Sequence, residues 1–250
     1  PPIICSNLVF KGSSTPLFKP YVLKQIGSNK IAFVGALSPD AIVTESYAFE
    51  DDSLKTSYDI PASNRFQLVQ AAVNEARQAG ADFVILLSHF GLEPPFTSTE
   101  LIQNTFGIDA VLDGHSHSVI EEAFVPNLNG DSILVSQTGT KFQNVGVLSL
   151  TPNGKFHSRL IPLDSITIIN EGVKVTYDSL YALAVQDLQT VVSSTQFDLT
   201  INSDDGNRLV RKGETNLADF VADAFRYAFK ADIGLVNGGG VRATISAGNI

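Results

Sequence analysis

Several residue types that would define a class of protein are rare or absent from this sequence. It contains no methionine and no tryptophan, and its single cysteine, Cys5, excludes an internal disulfide framework and any CxxC metal cluster. Basic residues are also in deficit, with 17 Lys and Arg against 26 Asp and Glu and a net charge of −9. Because phosphate contacts along a polymer need a basic face, we expect no nucleic-acid polymer as a partner.

Long hydrophobic runs are missing as well. No apolar stretch approaches the roughly 20 residues that a membrane-spanning helix needs, so we predict no transmembrane segment in this chain. The 250 residues are 44% hydrophobic and 17% charged, which is enough apolar content for a sizeable core and excludes a disordered chain. The chain opens on Pro1-Pro2, with neither an initiator methionine nor a signal peptide, and we interpret it as part of a longer protein.

Hydrophobic periodicity in the first part of the chain alternates between strand and helix. This alternation predicts a layered α/β sheet, with strands over 31–35, 82–87 and 108–112 and helices over about 61–80 and 98–105. Short alternating strands over about 132–163 predict a β-meander packed on or beside that sheet. Beyond it the pattern predicts a connector helix over about 177–193, a helix over 215–229 and a strand over 232–236.

Three of the four histidines follow predicted strands directly. His89 comes after one strand, and His115 and His117 come after the next, with Gly114 before them to let the chain turn sharply. Ligands bind at the carboxyl ends of strands in open α/β sheets, and neutral imidazole suits zinc, manganese, iron or cobalt. We therefore predict a metal site, in which the His-x-His pair serves one ion or two. The alternative is that these are hydrogen-bonded histidines without a ligand, which is our interpretation of His157 in its polar turn.

A second candidate site is the loop over 237–242. Three consecutive glycines after a predicted strand allow backbone N–H groups to face a ligand, and Arg242 can present a guanidinium to phosphate. A glycine triplet alone is also typical of a flexible turn. The loop over 237–242 consists of Asn237, Gly238, Gly239, Gly240, Val241 and Arg242.

These motifs resemble those of the 5′-nucleotidase and UDP-sugar hydrolase family. Residues 86–93 (LLSHFGLE) and 106–117 (FGIDAVLDGHSH) resemble the second half of its calcineurin-like metallophosphoesterase domain. Residues 211–224 (RKGETNLADFVADA) and 237–242 (NGGGVR) resemble the start of its C-terminal domain. The resemblance implies an α/β metallophosphoesterase part over 1–165, a connector helix over 166–200, and the start of a second α/β, substrate-binding domain over 201–250.

The resemblance implies an enzyme that hydrolyses phosphate esters of nucleotides with two divalent ions, zinc, manganese or similar. By this resemblance His89 and His115 hold one ion and His117 the other. Arg208, Arg211, Asn237, the three glycines and Arg242 are the candidate substrate contacts. The family also draws ligands from an N-terminal Asp-x-His motif, a further Asp and a catalytic Asn-His dyad. We expect these upstream of Pro1, in a missing part with which this chain pairs.

Three alternatives stay open at this point. The 250 residues can be a non-catalytic module or an incomplete, inactive fragment that binds one ion weakly. The parent protein can instead be a cyclic-nucleotide phosphodiesterase, a nucleotide-sugar hydrolase or a thiosulfohydrolase. The family resemblance also implies a secreted, periplasmic or cell-surface location. We expect Asp109 to close the turn into its strand and Asp113 to support the histidine loop.

Overall fold

The computed structural model describes residues 2–45, 57–188 and 190–249 of the chain. The chain divides into two compact units, Pro1–Thr167 and Ile168–Ile250. Within the described ranges, no helix combines the length and the apolar character needed to cross a bilayer. The domain assignments drawn from the family stay predictions, and each unit is described below by itself.

A six-stranded mixed sheet forms the centre of the first unit. Its strands follow in the order β2 (Tyr21–Ile26), β3 (Asn29–Leu37), β5 (Phe83–His89), β6 (Ala110–Leu112), β8 (Ser132–Thr138) and β7 (Val119–Pro126). The four strands in the middle are parallel, and an antiparallel strand lies at each edge. The four inner strands carry apolar residues on both faces, which is typical of a sheet covered on two sides. The α/β fold class is confirmed.

The predicted β-meander is wrong in its first strand. β8 lies inside the main sheet, parallel to β6, because residues 133–137 are buried on both faces of the strand. β7, which we did not predict, pairs antiparallel with β8 and forms the edge. Only β9 (Asn144–Leu150) and β10 (Phe156–Pro162) form a separate antiparallel hairpin.

Two helices pack on one face of the sheet and the hairpin packs on the other. They are α2 (Arg65–Gln78) and α3 (Ser98–Gln103), close to the predicted spans, and α2 buries Val69, Val73 and Ala76 against the sheet. On the opposite face Phe156 of the hairpin meets Phe83 edge-on, with ring centroids 5.4 Å apart. Four smaller elements complete this unit: β1 (Val9–Phe10), α1 (Ala41–Thr44), β4 (Tyr58–Asp59) and a 3₁₀ helix (Leu163–Ser165). β1 pairs with β4.

The second unit contains two helices and a small apolar core. The helix α4 (Glu171–Leu188) begins and ends several residues before the predicted connector helix. The helix α5 (Asn216–Phe229) matches its predicted span, and Thr215 caps its first turn. The core consists of Leu199, Ile201, Val210, Leu217 and Val241, and β11 (Ser194–Thr195) pairs with β12 (Gly248–Asn249).

The strand predicted over 232–236 is wrong. These residues pair with no strand of the described part of the chain, and Ile233 and Leu235 are 75% and 87% exposed. Alternating apolar residues predict a strand, but a strand forms only where a neighbouring backbone supplies hydrogen bonds.

Candidate functional site

The parallel register of β5 and β6 brings the histidines to one edge of the sheet. Leu87 of β5 pairs with Leu112 of β6, so His89 and Gly114 each stand two residues beyond that pair. β5 itself ends at His89, two residues later than predicted. The carboxyl ends of both strands therefore present their histidines side by side, as the sequence indicates.

The structure brings two of the three predicted histidines into contact. The rings of His89 and His115 have centroids 5.1 Å apart and an interplanar angle of 63°. Gly114 makes this approach possible, because a Cβ at that position would lie 3.2 Å from Nδ1 of His89. His117 is exposed, and both His115 (φ 76°) and His117 (φ 58°) adopt left-handed backbone conformations, an arrangement that is common at functional sites.

Partial burial favours the neutral form of the His89 imidazole. An apolar cavity of about 530 Å³ adjoins it, lined in part by Phe18, Leu37 and Leu87. Burial lowers the pKa of His89 below its ordinary value, and the neighbouring His115 lowers it further. The neutral imidazole that results is the form that binds a metal ion.

Two residues outside the predicted site, Asp40 and Gln137, organise the histidine loop. Oδ2 of Asp40, in the loop after β3, lies 3.2 Å from Nε2 of His115. Gln137, at the end of β8, is buried; its amide nitrogen donates to Asp113 and to the carbonyl of Gly114, each at 3.2 Å. Its amide oxygen accepts from the backbone N–H of Ser118 at 2.5 Å. Both residues lie near the carboxyl end of a sheet strand. Their position after a strand is the sequence signal that could have placed them at the site.

The two aspartates beside the histidines have the supporting roles expected of them. Asp109 accepts from Arg77 and from the backbone N–H of Val84, both at 2.6 Å, at the entry to its strand. Asp113 accepts from the backbone N–H of Gly91 at 3.1 Å and so joins the loops that follow β5 and β6. Burial raises the pKa of the Asp113 carboxyl above its ordinary value.

His89 and His115 are the candidate metal donors at this edge of the sheet. Among residues 2–45, 57–188 and 190–249, no three His, Cys, Asp or Glu side chains converge closely enough to hold an ion. His89 and His115 supply two imidazoles of the kind that zinc and manganese accept. The assignment of metal ligands to His89, His115 and His117 stays a prediction. His157 lies elsewhere, on the hairpin, where it pairs with Glu122 at 3.2 Å.

The glycine loop of the second unit folds against Arg211. Nη2 of Arg211 lies 3.3 Å from the position of a Cβ on Gly239, and the N–H of Gly239 donates to the side chain of Asn237 at 2.9 Å. A Cβ on Gly238 would lie 2.1 Å from the carbonyl oxygen of Val210, so only glycine fits there. The guanidinium of Arg211 is exposed beside this loop, where it is available to an anion.

The remaining predicted contacts of this unit are arranged differently. Arg208 donates to the backbone carbonyl of Val241 at 3.2 Å, which ties the loop to the segment that contains Arg208. Gly240 closes a turn by donating to the carbonyl of Asn237 at 2.8 Å. Arg242 is exposed. The structure thus groups Arg211, Asn237, Gly238 and Gly239, and uses Arg208 to hold the loop.

Comparison with known proteins gives consistent results for both units. Residues 185–250 match the model of a family described as 5′-nucleotidase, C-terminal domain. A trifunctional nucleotide phosphoesterase protein of Bacillus subtilis, YfkN, is 26% identical over 243 residues, which are 92% of this chain and 16% of that protein.

Solved structures of low identity share the fold. A 5′-nucleotidase precursor from Thermus thermophilus superposes with a TM-score of 0.71 at 21% identity, over 100% of this chain and 51% of that one. The calcineurin-like phosphoesterase YfkN of Bacillus subtilis gives a TM-score of 0.57 at 19% identity, over 76% of this chain and 64% of that one. The chain therefore spans about a sixth of the YfkN sequence and about half of the Thermus structure.

Proposed function

We propose that the chain is part of a metal-dependent enzyme of the 5′-nucleotidase type, which hydrolyses phosphate esters of nucleotides. The observation that carries this proposal is the contact between His89 and His115 at the carboxyl edge of the sheet. Two imidazoles in contact at that edge are a donor pair suited to a divalent ion.

In this proposal His89 and His115 hold one divalent ion and His117 contributes to a second. When bound, a pair of such ions supplies an activated water and neutralises charge on the transferring phosphoryl group. The described residues supply only part of the ligand set, and we place the remaining ligands elsewhere in the protein. Gln137 and Asp113 keep the loop of His115 in place, so the chain's own contribution is to fix the two imidazoles.

The second unit would bind the nucleotide. Arg211 offers an exposed guanidinium beside backbone N–H groups of the glycine loop, a combination that suits a phosphate group. The match of residues 185–250 to the C-terminal domain of 5′-nucleotidases supports this role. We assign residues 1–165 to the metal-binding domain and residues 201–250 to the substrate-binding domain on the same grounds.

A location outside the cytoplasm is part of the proposal. The Thermus relative is described as a precursor, and a 24% identical relative from Listeria monocytogenes is described as a cell wall protein. A periplasmic, secreted or surface-attached enzyme of this type would act on nucleotides before uptake.

Activity of the full-length protein tests the proposal. Phosphate release from AMP, in the presence of manganese or zinc, is expected for the wild type and to fall roughly 100-fold or more in His115→Gln, which removes a proposed ligand. His157→Gln is the matched control, since that histidine pairs with Glu122 on the hairpin, and it should keep wild-type kcat/KM. Bound metal without phosphate release from any nucleotide would contradict the proposal.

Substrate binding is tested separately through Arg211. Arg211→Ala should raise KM for AMP at least tenfold, because a charge-assisted contact with phosphate contributes roughly 1.5–3 kcal/mol. Metal affinity should be unchanged in this variant. An unchanged KM would remove Arg211 from the proposed substrate site.

A further inference from the structure

Asp40 makes a contact that spans three strands of the sheet. Its Oδ2 atom lies 3.2 Å from Nε2 of His115, and the two side chains are 21% and 31% exposed. Asp40 stands three residues after β3, whereas His115 stands three residues after β6, and β5 lies between those strands. The contact therefore joins the loops on either side of the strand that ends at His89.

The local backbone does not account for the position of this carboxylate. Asp40 is the N-cap residue of α1, where an aspartate side chain ordinarily accepts from the first turn of the helix. Here the side chain makes no capping hydrogen bond, and it is the backbone carbonyl of Asp40 that accepts from Thr44 at 2.9 Å. The carboxylate is turned toward His115 instead.

The second carboxylate oxygen of Asp40 is also informative. Oδ1 is buried and has no hydrogen-bond partner within the part of the chain that the structure describes. A buried carboxylate oxygen without a partner costs free energy of the order of 1–3 kcal/mol. Proteins keep such a cost where the carboxylate has a role at a functional site. The group that the carboxylate of Asp40 contacts is the imidazole of His115.

We propose that Asp40 is a positioning residue that holds His115 in the tautomer whose Nδ1 atom is free to bind a metal ion. The inference rests on the proposed function. His115 carries its proton on Nε2 and donates it to Asp40, which leaves the lone pair of Nδ1 available. Metal-binding histidines commonly pair their other ring nitrogen with a carboxylate in this way, which fixes both the tautomer and the orientation of the ring.

The chain offers a matched control in the pair of His157 and Glu122. Nδ1 of His157 lies 3.2 Å from Oε1 of Glu122, the same separation as in the pair of His115 and Asp40. This second pair lies at the hairpin and β7, on residues that have no part in the proposed site. If the loss of any carboxylate beside an imidazole weakened Mn²⁺ binding, the variants of both pairs would show it.

Calorimetric titration of the full-length, metal-free protein with Mn²⁺ alone tests the proposal. Asp40→Leu should weaken Mn²⁺ binding about 10–100-fold, while Asp40→Asn, which keeps an acceptor oxygen, should lose less than about tenfold. Glu122→Leu should bind Mn²⁺ with wild-type affinity. An unchanged affinity in Asp40→Leu overturns the inference, whereas a wild-type protein that binds no Mn²⁺ overturns the proposed function instead.

A second measurement does not depend on the folding of an Asp40 variant. In the metal-free wild type with ¹⁵N-labelled histidine, long-range ¹H–¹⁵N correlation spectra report which ring nitrogen carries the proton. We expect the signal that disappears in His115→Gln to show the proton on Nε2. A proton on Nδ1 of His115 overturns the inference whatever the affinities are.

Discussion

At the scale of single residues, the candidate metal site depends on the space that Gly114 leaves open. The imidazole of His89 occupies the space that a side chain at position 114 would need, with Nδ1 only 3.2 Å from the Cβ position. The next residue, His115, adopts a left-handed conformation that L-residues other than glycine rarely adopt. The missing side chain at Gly114 and the left-handed backbone at His115 together bring the ring centroids of His89 and His115 to 5.1 Å from each other.

Gly114→Ala should therefore weaken Mn²⁺ binding by roughly tenfold or more, because the new methyl group pushes the ring of His89 away from His115. Calorimetry on the full-length protein measures this. Gly172→Ala is the control, because its Cβ would meet nothing closer than 3.4 Å and should leave the affinity unchanged. Equal affinities in the two variants would show that position 114 tolerates a side chain.

Cys5 provides a test of burial that is independent of the site. Its thiol is buried, and burial raises its pKa above the ordinary value. Because less thiolate is present at any given pH, reaction with a bulky disulfide reagent at pH 8 should be much slower in the native protein than in urea. The raised pKa also means that stability falls as the pH rises above the ordinary thiol pKa of about 8.5, since the unfolded state ionises first.

The stability difference between wild type and Cys5→Ala, measured by urea unfolding at pH 7 to 10, isolates that effect. The wild type should lose stability relative to the variant as the pH rises. A constant difference would indicate that the thiol has the same pKa in both states.

At the scale of elements, the fold follows from the sequence wherever the signal is local. Alternating strands and helices predicted the layered sheet, and His89, His115 and His117 were identified because each follows a predicted strand. The position of β8 could not be predicted, because parallel pairing with β6 depends on contacts far apart in sequence. Asp40 and Gln137 were left out of the predicted site for the same reason: their contacts with the histidine loop exist only after the sheet has formed.

Gln137→Leu should destabilise the first unit by about 2–3 kcal/mol, because it removes the hydrogen bonds that the buried amide makes with Asp113, with the carbonyl of Gly114 and with the backbone N–H of Ser118. Urea unfolding followed by circular dichroism measures the loss. Gln67→Leu, a substitution at an exposed position of α2, should change stability by no more than about 0.5 kcal/mol. A similar small change at position 137 would show that the loop does not depend on this amide.

At the scale of the whole molecule, the second unit exposes a large amount of apolar surface. Tyr227, Phe229, Ile233 and Leu235, at the end of α5 and in the segment after it, are all at least 75% exposed. Four large apolar side chains this exposed within nine residues of sequence are unusual on a monomeric protein and favour association. The helix is amphipathic, but the described residues cover only the side that faces Leu199, Ile201 and Val210.

A protein limited to these 250 residues should therefore self-associate at micromolar concentrations. Size-exclusion chromatography with light scattering is expected to show species larger than a monomer, and a double variant, Phe229→Ser with Leu235→Ser, should reduce them. A double variant at two exposed polar positions, Lys155→Ser with Asp164→Ser, should not. Monomeric elution of the unmodified 250 residues at all concentrations would contradict this expectation.

The pairing of Leu87 with Leu112 has a consequence for how related sequences can vary in length. The distance between the two rings is set by counting from that pair, two residues to His89 and three to His115. Insertions in the connection between β5 and β6 leave both counts unchanged, and they are compatible with the site where the hydrogen bond from Gly91 to Asp113 is kept. One residue added between Leu112 and His115 would change the second count and separate the two histidines.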